Sequence, residues 1–112
     1  MIRRAFDGMA AAIAEDRLGV DEDFQFHAGI FNATHNPFFI SFSEFLEQRV
    51  RRLIRAARTN TARFAGLAAR VQEEHRAIFD ALVDRDTEAA GWAAERHLHN
   101  AARRLQLYQR PA

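Results

Sequence analysis

Apolar residues return every three or four positions along most of this 112-residue chain, and no stretch reads as a strand. That is the period of a helix buried along one face. Punctuation divides the pattern. In "EDRLGVDED", Gly19 reads as a helix stop and the acids after it as a new N-terminal turn. In "ATHNPFF", Asn36 is a good N-cap and Pro37 takes the favoured first helical position. "RTNTARFAG" interrupts the pattern near residue 60, with Thr59, Asn60 and Thr61 as capping candidates. "DRDTEAA" offers a turn over Asp84 to Asp86, with Asp86 or Thr87 as N-cap. The pattern predicts five helices, roughly 2–17, 20–34, 37–58, 62–84 and 87–109.

Short connections favour antiparallel neighbours, so the expected fold is all-α, an antiparallel helical bundle around a central cavity. The inward stripes predict a phenylalanine-rich core of Phe24, Phe31, Phe38, Phe42, Phe45, Phe64 and Phe79. Leu53, Ile54, Val71, Ile78, Leu82, Trp92 and Leu98 are expected to join it. The first helix carries a weaker stripe of Ile2, Phe6, Met9 and Ile13.

Composition narrows the function. The length suits one domain. No apolar run is long enough to span a membrane and no signal-peptide pattern is present, so a cytoplasmic protein is expected. Without cysteine there is neither a disulfide nor a thiolate metal site. Every basic residue is arginine, yet the net charge is only +1, which argues against a protein that coats nucleic acid.

The candidate chemistry begins in "DEDFQFHAGIF". Asp23 and His27 stand one helical turn apart among phenylalanines, so both side chains leave the same face. A buried carboxylate needs a cation, a hydrogen-bond network or a metal. His75 is in register with Val71, Ile78, Phe79 and Leu82, and His97 lies near the face of Trp92, Ala93, Ala101 and Leu105. About ten residues separate His75 from the turn near Arg85, and about eleven separate His97 from it. The two therefore sit at the same height on antiparallel neighbours. Three imidazoles and one carboxylate would suit zinc, nickel, manganese or iron. Spacing alone leaves such a site and a hydrogen-bonded polar core both open.

The same residues resemble a known family. "DEDFQFHAGIFNATHNPFF" is similar to the D-x-x-F-H…GNP signature of the FCD domain, the effector-binding domain of FadR-like GntR transcriptional regulators. "EEHRAIFDALVDRDTEAAGWAAERHL" resembles that domain's closing E-H-x-x-I, D-x-x-x-A and His-Leu segment. The resemblance implies divalent-metal ligands at Asp23, His27, His75 and His97, and the 22-residue spacing of the last two matches. It also implies a small carboxylate effector, such as a hydroxy acid, dicarboxylate or sugar acid. His35 departs from the pattern, standing where the family has glycine. The family's N-terminal winged helix-turn-helix and first effector-domain helix find no counterpart, so residues 1–112 are expected to form a single, shortened sensor domain. DNA contact would then come only through that absent domain.

Arg49 and Arg52 are the expected effector-binding arginines, since a guanidinium clamps a carboxylate bidentately; Arg49 continues the line of Phe42 and Phe45. Two other functions compete. An open metal position could activate water, but the chain lacks H-E-x-x-H and paired E-x-x-H motifs. Glu74, next to His75, is expected to point away from the site, so no enzyme is expected. Nucleic acid could bind the stripe of Arg51, Arg52, Arg55 and Arg58 in "RVRRLIRAAR", though nearby acids are available to neutralise it. His99 is expected to be exposed. A homodimer is expected, with the first helix packing against a second copy.

Overall fold

The computed structural model describes residues 2–108. Regular structure among these residues is entirely helical: α1 (Ile2–Ala14), α2 (Val20–Ala33), α3 (Pro37–Phe45), α4 (Glu47–Thr61), α5 (Leu67–Val83) and α6 (Thr87–Tyr108). Residue 109, the expected end of the last helix, lies outside the described residues. No helix among them is long and apolar enough to cross a membrane. The chain divides into two compact units, Met1–Ala56 and Ala57–Ala112.

In the first unit α1 folds back on α2. Phe6 and Met9 are buried, as are Phe24 and Phe26, and the Phe6 and Phe26 rings lie 6.3 Å apart. A Cβ on Gly8 would stand 3.0 Å from Cγ of Glu22, so the missing side chain lets the helices approach closely. Because Phe6 and Met9 are spent on α2, the first helix does not offer the apolar stripe expected for a second copy. α1 closes with Asp16 at φ 58° and the Arg17 N–H donating to the Ala12 carbonyl at 2.7 Å, a Schellman closure. Asp21, Glu22 and Asp23 then fill the first turn of α2, where the helix dipole favours negative charge.

Asn36 Oδ1 accepts from the Phe38 N–H at 2.9 Å, with Pro37 opening α3. The helix expected over 37–58 is two helices. Leu46, at φ −90° and ψ 1°, separates α3 from α4. Its N–H still donates to Phe42 and its carbonyl still accepts from Val50, so the interruption is a one-residue kink. α3 has no buried residue. Phe38, Phe42, Phe45 and, on α4, Leu53 are exposed rather than core, as is Phe31 near the end of α2.

In the second unit α4 runs on through Thr61, whose hydroxyl donates back to the Arg58 carbonyl at 3.2 Å. Thr59, Asn60 and Thr61 thus end a helix instead of capping the next. The start is set by Gly66, at φ 84°, ahead of Leu67, a conformation that glycine adopts without strain. α5 and α6 meet at a tight turn. Arg85 sits at φ 57°, the Asp86 N–H reaches the Ala81 carbonyl at 2.9 Å, and Asp86 Oδ1 caps the Ala89 N–H at 3.0 Å. Leu67, Val71, Ile78, Phe79 and Ala93 are buried. Trp92 and Leu98, expected inside, are each 63% exposed. The inward line of α6 runs through Ala93 and His97, both buried, and each of the outliers stands one residue, about 100° of helix, off that line. The Trp92 ring is covered in part by the Arg96 guanidinium, 5.2 Å from its centroid.

Candidate functional site

The first unit supplies an Asp–His pair. α2 carries Asp23 and His27 on one face, and His27 Nε2 lies 3.1 Å from Asp23 Oδ1. Asp23 is buried and His27 half-buried. The edge of one ring meets the other where Phe26 packs on His27, with centroids 5.4 Å apart. This contact and the carboxylate together restrict the imidazole.

The second unit supplies a His–His pair. His75 on α5 is fully buried and His97 on α6 is 6% exposed. Their ring centroids are 4.4 Å apart at an interplanar angle of 64°. The tight turn at Arg85 and Asp86 sets this register, as the matched heights predict. Two imidazolium rings at such a distance would repel strongly in a low-dielectric interior. A doubly charged pair is therefore disfavoured, and the neutral imidazole is the form that ligates metals.

Glu74, expected to point elsewhere, reaches across to α6. Its Oε1 accepts from His97 Nδ1 at 2.7 Å, and its Oε2 accepts from the Asn100 amide at 3.0 Å. Arg104 binds both oxygens at 2.8 Å. Burial pushes this carboxyl up, but the hydrogen bonds from Arg104 and His97 and the Arg104 charge prevail and hold it at about 2. A signal for the contact exists in the sequence: His97, Asn100 and Arg104 follow one another at i, i+3 and i+7, a single face of α6. His99, in contrast, is exposed.

The arginines fall into three groups. Arg51 is committed: its guanidinium bonds Asp21 and Glu47, each at 2.9 Å, and lies 4.1 Å from the Phe24 ring centroid. Arg58 is buried, which removes it from the basic stripe considered for nucleic acid. Arg49 and Arg52 are exposed, although the line of Phe42, Phe45 and Arg49 is expected to face inward; Phe42 and Phe45 are exposed as well. Arg52 lines a cleft of about 240 Å³ with Val20, Asp21, Gln48, Arg51 and Arg55.

A family model described as the FCD domain matches residues 1–100. Nothing among curated proteins matches the chain.

Proposed function

As the chain belongs to the FCD family, the effector-binding C-terminal domain of GntR-family regulators, we propose that it senses a small organic acid through a divalent metal ion. The ligands are Asp23, His27, His75 and His97. The observation that carries this reading is the buried His75–His97 pair with touching rings, joined in sequence to an Asp–His pair of the kind the family uses. The donor set, three nitrogens and one carboxylate oxygen, fits zinc, nickel, manganese or iron.

Such an ion supplies a Lewis-acid position for one oxygen of the effector. The protein supplies the rest: imidazoles locked by packing and a guanidinium for the remaining charge. Arg49 and Arg52 are the arginines proposed for that role, because both keep a guanidinium without a partner among the described residues. In this reading the domain is a cytoplasmic homodimer and DNA is contacted by a winged helix-turn-helix domain, not by this one. The solvent-facing Phe38, Phe42 and Phe45 of α3 favour association, since large exposed apolar patches are usually covered. Light scattering is expected to give twice the 12.8 kDa of one chain; a monomer at micromolar concentration removes the dimer from the reading.

Calorimetric titration with zinc or nickel tests the site itself. His75→Ala and His97→Ala should each weaken binding by more than the roughly 10–100-fold lost with an outer partner. His99→Ala should bind as the parent does. Equal losses from all three variants would overturn the assignment.

A further inference from the structure

We propose that Glu74 is a positioning residue: it fixes His97 as the Nδ1–H tautomer and so presents Nε2 as the donor atom. The inference rests on the metal reading above for its purpose, but its geometry stands within α5 and α6 alone. A carboxylate flanked by Arg104 has no proton to give. Arg104 donates to both of its oxygens and Asn100 to one, and arginine and an amide N–H are donors only. The proton in the 2.7 Å contact between Glu74 Oε1 and His97 Nδ1 therefore belongs to the imidazole. In the neutral ring this leaves the lone pair on Nε2.

Consecutive residues on a helix diverge by about 100°, and the E-H dipeptide uses that divergence. His75 turns inward and is fully buried. Glu74 turns sideways and orients the histidine of the other helix. One short segment of α5 thus provides one imidazole directly and sets the chemistry of the second. Asn100 and Arg104, one and two turns along α6 from His97, hold the carboxylate in place so that it cannot rotate away. Arrangements of this kind raise ligand basicity and fix ring orientation.

The test is ¹⁵N NMR of the histidine rings in metal-free protein at alkaline pH, with zinc titration alongside, for the parent, Glu74→Ala, Glu74→Gln and His99→Ala. The parent should show His97 as the Nδ1–H tautomer. Glu74→Ala should shift it toward Nε2–H and lower zinc affinity roughly 10–100-fold. Glu74→Gln should restore much of the tautomer preference, because the amide oxygen still accepts from Nδ1. Far-ultraviolet circular dichroism confirms that each variant folds. A parent His97 found as Nε2–H, or a folded Glu74→Ala with unchanged tautomer and zinc affinity, overturns the proposal. If the parent shows the Nδ1–H tautomer, Glu74→Ala loses it and no zinc binds to either, the positioning role stands and the metal reading fails.

Discussion

At the scale of single residues the backbone explains a departure that the sequence shows without explaining. His35 stands where the family pattern has glycine, and it adopts φ 56° in the turn between α2 and α3. Left-handed backbone costs a residue with a Cβ about 1–2 kcal/mol, whereas glycine accepts it freely. Part of the gain is offset by the greater freedom of glycine in the unfolded chain. His35→Gly is therefore expected to stabilise the protein by about 0.5–1 kcal/mol, read as a higher urea midpoint at unchanged slope. The conformation belongs to the position, since Asp16 and Arg85 adopt the same one at the ends of α1 and α5. Neither residue type announces a left-handed turn as glycine does, so only the pattern's expected glycine marked His35. The contact of Glu74 was only half legible: the shared face of His97, Asn100 and Arg104 marks its partners but not the residue that meets them. Its neighbour His75 faces inward, and the helical period rightly sends Glu74 elsewhere; that "elsewhere" is occupied by α6 depends on how two helices pack.

At the scale of elements, two boundaries with a chemical cause were legible, whereas the start of α5 at Gly66 was hidden behind the capping candidates Thr59, Asn60 and Thr61. Asn36–Pro37 and Asp86 cap as their types predict. The kink at Leu46 has neither glycine nor proline at it, and the phenylalanine stripe runs through it unchanged, so nothing in the pattern announces it. Asp86→Ala removes the cap on α6 and should cost about 1 kcal/mol, measured by thermal unfolding. The α5–α6 pair also makes an acid-sensitive contribution. Glu74 is held at about 2 against an ordinary 4.5, so the unfolded chain takes up its proton first as pH falls. The stability that this carboxylate contributes is complete above about pH 4.5 and vanishes as pH falls to about 2. Metal-free Glu74→Gln should be less stable than the metal-free parent at neutral pH, and the difference should shrink across that window. A difference independent of pH would mean that the charge of Glu74 contributes nothing.

At the scale of the whole molecule, the Asp23–His27 and His75–His97 pairs were legible as side-chain neighbours because each is local in a different sense. Asp23 and His27 share one turn of one helix, and His75 and His97 are equidistant from one tight turn. Their union in a single site is the proposal, and thermodynamic linkage tests it without any assumption about the effector. A metal that binds the folded chain and not the unfolded one stabilises it by RT ln(1 + [M]/Kd), about 2.7 kcal/mol at a hundredfold excess over Kd. For a domain of this size that corresponds to a Tm shift on the order of 10 °C. Chelation should lower Tm by that amount near neutral pH, and added zinc or nickel should restore it. Because each ligand imidazole must be neutral, protons compete with the metal as pH falls. The melting curves of metal-loaded and chelated protein should therefore converge as the solution is made more acidic. His75→Ala should show the same Tm with and without metal at every pH, since one missing ligand removes the linkage. Coincident curves for the unsubstituted protein at neutral pH would mean that the histidines form a polar core held by hydrogen bonds alone.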